Sequence, residues 1–298
     1  MKFAVIEVDG SARAVFQVSD GLIDITAALN VTPNDLPAFL GCGAPALAQC
    51  KRCVESNTPR LALAGGKLLA PVRHPDKLIG IGMNYRSALH GAASVGMPLP
   101  TGKLWFLRPP SCIVASLDPV WLPAGPANLD YEGELAIIIG RRCSHVAPEN
   151  AAAVIAGYTV ANDMTLRDRV PKSLVFAKGF ATHTPLGPWL VTPDEVGDSQ
   201  NLRIRTWVDG ELRQDSNTAE MIVSCYELVA ELSAAFTLSP GDIILSGTPG
   251  GSAAFIKPSP WLRPGSSMRI EIENVGVLEN RVVEEPSAPD SGGVPGQR

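Results

Sequence analysis

Long apolar runs are missing from this chain. The longest candidate, Leu135–Ile139, falls far short of the roughly 20 residues that cross a bilayer. The opening MKFAVIEVDG alternates apolar and polar residues, where a secretory leader has a long apolar core and a small-residue cleavage site. Clustered basic charge is missing too. Lys51-Arg52 and Arg141-Arg142 are isolated doublets, and a net charge of -5 argues against nucleic acid, whose partners concentrate basic residues on one face. The six cysteines, Cys42, Cys50, Cys53, Cys112, Cys143 and Cys225, show no disulfide-framework spacing. The lone CxxC at Cys50–Cys53 has neither a second pair nor a histidine at ligand spacing to complete a zinc site. GIGMNY at 80–85 lacks the third glycine and following helix of a dinucleotide fingerprint, and neither a P-loop nor an internal repeat occurs. These absences point to a soluble cytoplasmic protein with reduced thiols and without a nucleic-acid or membrane partner.

What the chain does have is an ordinary globular balance, 45% hydrophobic and 18% charged over 298 residues, with a length prior of about two domains. Residues 1–70 read as a small N-terminal unit. FAVIEVDG and ARAVFQV form two strands around Asp9-Gly10, helical pieces follow at Leu36–Leu40 and Ala46–Val54, and Ala64-Gly65-Gly66 breaks the pattern. Pro71 and His74-Pro75 mark a linker. From Lys77 the chain is strand-rich: LIGIGM, WFLRPP, IVAS, LAIIIG, GYTVAND and GDIILSGTP. RIRTWVDGELRQ is a hairpin on Asp209-Gly210, and MRIEIENVGVLENRVV is a second one with period-2 alternation. Met221, Cys225, Leu228 and Leu232 recur at helical spacing, which predicts a helix over Thr218–Phe236. Many strands and few helices, without a βαβ rhythm, predict an α+β, β-rich domain with antiparallel or mixed sheet. The Pro-, Gly- and Ser-rich 285–298 predicts a disordered tail.

One stretch is chemically odd. LDYEGELAIIIG at 129–140 leads an apolar strand with three acids. Residues i and i+2 share a face of a strand, so Glu132 and Glu134 point the same way and repel. Either this end is solvated or a positive group sits between the carboxylates. Asp163 ends another strand, in GYTVAND. Three carboxylates from two strand ends make a hard oxygen site suited to Mg²⁺ first, with Mn²⁺ or Ca²⁺ also admitted.

The segments NYRSALH, GMPLP, LWFLRPPSCIV, LDYEGELAIIIG, GYTVANDMTLRDRV, FAKGF, HTPLGPWLVT, VDGELRQ and GDIILSGTPGG occur in this order. The combination resembles the fumarylacetoacetate hydrolase superfamily over residues 77–284, and residues 1–70 resemble the variable N-terminal domain of its smaller bacterial members. The resemblance implies a mixed β-sandwich roll, usually a homodimer, whose divalent cation is held by Glu132, Glu134 and Asp163. It implies a 2-oxo acid or 1,3-dicarbonyl substrate, with C–C hydrolysis, decarboxylation or tautomerisation through a metal-stabilised enolate. It places Lys178 beside the metal as a catalytic residue, Arg167 on a substrate carboxylate, Gly247 and Thr248 of the SGTP turn on substrate oxygens, and Tyr85 at the pocket.

Hydrolytic members carry N-Y-x-x-H-x-x-E, a histidine and a glutamate that activate water. Here the histidine slot is Ala88 and the glutamate slot is Gly91. Sliding the alignment to His90 puts Ala93 in the carboxylate slot, and no Asp or Glu occurs from Asn84 to Leu117. His90 is the one candidate for a displaced base. Without that dyad, decarboxylation or keto–enol isomerisation is the reaction that needs least, since both rest on the electron sink rather than on activated water. A protein that keeps the metal pocket and only binds 2-oxo acids is the alternative from another class.

Overall fold

Leu135, Ile137 and Ile139 alternate with Ala136 and Ile138 along one fully buried strand, so this strand feeds two cores at once. The computed structural model describes residues 1–56, 58–61 and 66–287. In it the Gly133–Ile139 strand lies in the middle of a 12-stranded mixed sheet. One neighbour is Ile155–Asn162, antiparallel with Gly133 opposite Asn162. The other is Ile243–Leu245, also antiparallel, which in turn runs parallel to Leu78–Gly82. Leu104–Arg108 ends the sheet on that side, with Arg108 opposite Leu78.

On the face of Leu135 and Ile137, the core includes Tyr158 and Val160, Ile204, Ile270 and Ile272 of a second, five-stranded sheet, and Leu228 and Leu232 of the Cys225–Ala235 helix. Both predicted hairpins belong to that second sheet. The Asp209-Gly210 turn joins Arg203–Val208 to Glu211–Asn217, and both turn residues have positive φ, as a type I′ turn requires. On the other face, Ala136 and Ile138 pack with Phe3, Phe16, Ile23, Leu36 and Leu40.

That second core spans the expected boundary at 70–77, since Ala70, Val72 and Leu78 belong to it along with Phe3 and Phe16. The Lys2–Val8 strand pairs directly with Thr184–Val191 and carries Ser11–Val18 and Gly21–Asp24 behind it. The N-terminal strands thus extend the main sheet, and their apolar side chains are buried against it. The predicted helices there appear as Leu36–Gly41 and Ala44–Glu55. All six cysteines are free, and Cys50 and Cys53 are buried. Of the expected disordered tail, residues 288–298 lie outside the described residues, as do Ala64 and Gly65 of the breaker.

One helix is shorter than its spacing predicts. Thr218–Glu220 forms a single 3-10 turn, Met221 is extended, and the α-helix starts only at Cys225. Two causes are visible. Ser224 and Glu227 form a reciprocal capping box, which satisfies orphan amides and sets the start. Asn84 holds the preceding residues out of the helix: its backbone carbonyl accepts from Ile222 N at 2.8 Å and its Oδ1 from Val223 N at 2.9 Å. The apolar period therefore continued into residues whose backbone is committed elsewhere. In the NYRSALHGAA stretch an α-helix, Arg86–Ser94, forms with Tyr85 as its N-cap.

Candidate metal and substrate site

At the end of the central strands, the side chain of Asn162 accepts from Glu132 N at 2.9 Å, and Glu132 O accepts from Asp163 N at 2.9 Å. The Asn-Asp pair thus ties one strand end to the next, and Glu132 and Asp163 become neighbours. Glu134 follows on the same side of its strand. Ligand oxygens of Glu132, Glu134 and Asp163 lie within 4.8 Å of one another, and all three residues are buried. Such a concentration of negative charge away from water needs compensation.

The compensation is a set of three cations. Lys178 Nζ donates to Glu132 Oε2 at 2.7 Å, to Thr165 Oγ1 at 2.8 Å and to Asp163. Arg167 bridges Asp130, at 2.8 Å from its Nε, and Glu132. Arg108 pairs with Asp163 and donates to the backbone carbonyls of Lys178 and of His183, the latter at 2.6 Å. Three cations thus face the carboxylates of Asp130, Glu132 and Asp163, and Glu134 is the fourth acid. Burial, reinforced by the Glu132 carboxylate, pushes Glu134 up to about 8. Burial also pushes the Lys178 ammonium down to about 8, against the pull of Glu132. For Glu132, burial works upward, but Lys178 and Arg167 outweigh it and hold the carboxyl below its usual range. An added divalent cation would find four acids against three basic side chains, and hard oxygen donors. The donor set fits Mg²⁺, Mn²⁺ or Ca²⁺.

Above these groups lies a cavity of about 320 Å³. Glu132, Glu134, Asp163, Thr165, Arg167, Lys178 and Thr248 line it, together with Ala88 and a broad apolar wall. The structure therefore brings six of the sequence candidates to one place. Gly247 stands just behind. Its amide donates to Glu134 Oε2 at 2.8 Å, and its φ of 93° leaves a side chain at this position 2.7 Å from Asn84 Cβ, so the turn needs glycine. The Thr248 hydroxyl donates to Gly133 O at 2.9 Å and accepts from Gln214 Nε2 at 2.8 Å.

Two candidates are placed elsewhere. His90 is exposed on the Arg86–Ser94 helix and is not among the residues lining the cavity. From Ala88, which does line it, two residues turn a helix by roughly 200°, so the same helix points His90 away. Tyr85 is fully buried in the main core beside Ala88 and Met221, outside the cavity wall. The glutamate slot is crowded, since a Cβ on Gly91 would sit 3.1 Å from Phe255.

Four supporting residues were not identified from the sequence. Asp130 accepts from Arg167 Nε and from the amides of Tyr131, Ala253 and Ala254, at 2.9, 2.7 and 3.2 Å for the amides. Its signal was present, since it completes the i, i+2, i+4 row with Glu132 and Glu134. Arg108 is 3% exposed, and the only hint was a lone charge ending the apolar run LWFLR. Asn84 donates to Val223 O and Ser246 O at 2.9 and 2.8 Å, a clamp that no local pattern reveals. Gln214 lies on the hairpin and reaches the SGTP turn, where its Nε2 also donates to Pro249 O at 2.8 Å.

Fold and site together define the class. Residues 77–283 match the fumarylacetoacetate (FAA) hydrolase C-terminal family, and the chain belongs to the fumarylacetoacetate hydrolase family. Among its relatives is the mitochondrial oxaloacetate tautomerase FAHD2B of Bos taurus, 39% identical over 267 residues that cover 88% of this chain and 84% of the relative. The human FAHD2B is 38% identical with the same coverage. Among solved structures, maleylpyruvate hydrolase from Sphingobium sp. SYK-6, in complex with manganese(II) and pyruvate, superposes with a TM-score of 0.81. It is 33% identical, covering 95% of this chain and 99% of that one. The 5-carboxymethyl-2-hydroxymuconate delta-isomerase of Mycobacterium smegmatis gives a TM-score of 0.74 at 32% identity, covering 96% and 100%. The family thus includes hydrolase, isomerase and tautomerase members, and this chain is similar to all three. Among the described residues no helix is long and apolar enough to cross a membrane.

Proposed function

We propose that this protein is a divalent-metal-dependent enzyme that interconverts the keto and enol forms of a small 2-oxo acid. Oxaloacetate is the first substrate to test, because relatives of 38–39% identity are named oxaloacetate tautomerases. One observation carries the choice of tautomerisation over hydrolysis. Where a water-activating histidine and glutamate would stand, the roof presents Ala88, and Gly91 is packed against Phe255. Hydrolysis of a ketone needs a base for water, and enolisation needs only a charge sink and a proton carrier.

Glu132, Glu134 and Asp163 would hold the cation, which supplies Lewis acidity toward the 2-oxo oxygen when bound. Arg167 lines the cavity with its Nε on Asp130 and its Nη2 on Glu132, and its charge and remaining N–H groups orient a substrate carboxylate. The ammonium of Lys178, pushed down toward neutrality, holds or gives up a proton at Nζ and serves as the carrier to and from C3 of the substrate. Thr248 lines the cavity with its hydroxyl held between Gly133 O and Gln214 Nε2. Phe106, whose ring centroid is 4.7 Å from Lys178 Nζ, limits water on that side.

Mg²⁺ as the resident ion, a homodimeric assembly and a cytoplasmic location belong to the same reading, the last weighed against relatives whose names place them in mitochondria. Decarboxylation of oxaloacetate uses the same charge sink and is the second reaction to assay. The decisive experiment follows loss of the oxaloacetate enol by its ultraviolet absorbance, with Mg²⁺ or Mn²⁺, in wild type, Glu132→Ala and Lys178→Met. Acceleration that depends on metal and is lost in both variants is expected. Equal rates in wild type and Glu132→Ala would sink the metal role, and rapid hydrolysis of an acylpyruvate would sink the assignment as a tautomerase.

A further inference from the structure

We infer that the cavity selects 2-oxo acids with an uncharged hydrocarbon tail and disfavours those whose tail ends in a second, remote carboxylate. The inference rests on the proposed metal and 2-oxo acid reading of the floor and concerns what the rest of the cavity accepts. Of the five ionisable side chains that line it, Glu132, Asp163, Arg167 and Lys178 are joined by ion pairs at the floor, and Glu134 lies beside Glu132 and Asp163 in the same carboxylate cluster. The remaining wall is apolar. Met97, Leu99 and Leu104 come from the 97–104 segment, Val170 and Leu174 from the segment that leads to Lys178, and Phe255 from the turn beneath Gly91.

These two segments do carry cations, and each is held elsewhere. Lys103 pairs with Glu231. Arg169 pairs with Asp168 at 2.9 Å. Lys172 lies over the Phe176 ring at 4.7 Å. None of the three lines the cavity. A tail carboxylate entering here would leave water without meeting a cation, which is costly, whereas each methylene laid on the wall is favourable. Oxaloacetate is not excluded by this rule. Its second carboxylate is one carbon away from the 2-oxo group, so it remains on the floor within the province of Arg167.

The test is calorimetric titration of the Mn²⁺-loaded protein with oxalate, then with 2-oxohexanoate and 2-oxooctanoate, and with the equally long diacids 2-oxoadipate and 2-oxosuberate. Affinity should rise roughly fourfold per added methylene in the monoacid series, and each diacid should bind at least about tenfold more weakly than its monoacid counterpart. Val170→Lys, at a half-exposed position where a lysine can be accommodated, should move the monoacid-to-diacid ratio toward the diacid by about tenfold or more. Oxalate binding combined with diacids as tight as monoacids would overturn the selectivity while leaving the floor reading intact. Failure of oxalate itself to bind would overturn the floor reading, and this inference with it.

Discussion

The floor and the roof of the cavity are made from different kinds of chain. The floor is the ends of paired strands: Glu132 and Glu134 lead the Gly133–Ile139 strand, and Asp163 follows Ile155–Asn162. Its charges are buried, cross-linked and held by side chains that are themselves anchored. The roof is a nine-residue helix and the 97–104 segment, and the side chains it gives to the cavity are Ala88, methionine, leucine and proline. Strand ends locked on both sides can hold like charges at short range for a cation. The roof, free of that burden, can change its residues and change which reaction follows. A family with hydrolase, isomerase and tautomerase members over one fold agrees with such a division.

The comparison can be broken first at the floor. Asp163→Ala removes one cation ligand and leaves Arg108 and Lys178 short of a buried partner. Mn²⁺ affinity by calorimetry should fall by more than about a hundredfold. A fall below tenfold would mean that the three carboxylates do not act as a set. Arg108→Met comes next. It should cost about 3 kcal/mol of stability in a urea melt, because it strips a buried ion pair of one member. Mn²⁺ affinity should change far less than in Asp163→Ala, and similar losses in the two variants would make Arg108 more than a positioning residue.

His183 offers a third, smaller effect. Burial holds its imidazole down to about 4, and Nε2 lies 2.8 Å from Trp121 O. Since the folded value is below the unfolded value of roughly 6.5, this group favours the native state fully above that pH and loses its contribution as pH falls toward the folded value. Between pH 6.5 and 5 the loss is about 2 kcal/mol. Urea melts of His183→Gln over that interval should show a shallower pH slope than wild type, and identical slopes would show that His183 is charged in the native state. At the roof, His90→Ala should leave enol turnover within about twofold. A hundredfold loss would put that exposed imidazole back in the mechanism.

Much of the floor was legible in the sequence because strand periodicity is local. Residues two apart share a face, so Glu132 and Glu134 could be paired on paper, and Asp130 belonged to the same row. The roof was legible only as a deficit. The missing acid between Asn84 and Leu117 could be read directly, but whether His90 compensates depends on helix phase. The same limit explains the overlong helix at Thr218–Phe236. Apolar spacing carried the pattern back to Met221, but Asn84, distant in sequence, held residues 222 and 223 out of the helix through hydrogen bonds. Arg108 was invisible for a similar reason, since its partners Asp163, Lys178 and His183 lie far along the chain.

By itself the sequence determined the alternation that buries Leu135–Ile139 on both faces, the two hairpins, the carboxylates at the strand ends, and the absence of a glutamate in the roof. These follow from nearest-neighbour geometry and composition. Only the tertiary structure decided which cations neutralise that floor, that His90 turns away while Ala88 turns in, and that the N-terminal strands join the main sheet through the Lys2–Val8 and Thr184–Val191 pairing. Those outcomes are set by contacts between segments far apart in the chain, where burial makes an unpaired charge costly and so selects the arrangement in which partners meet.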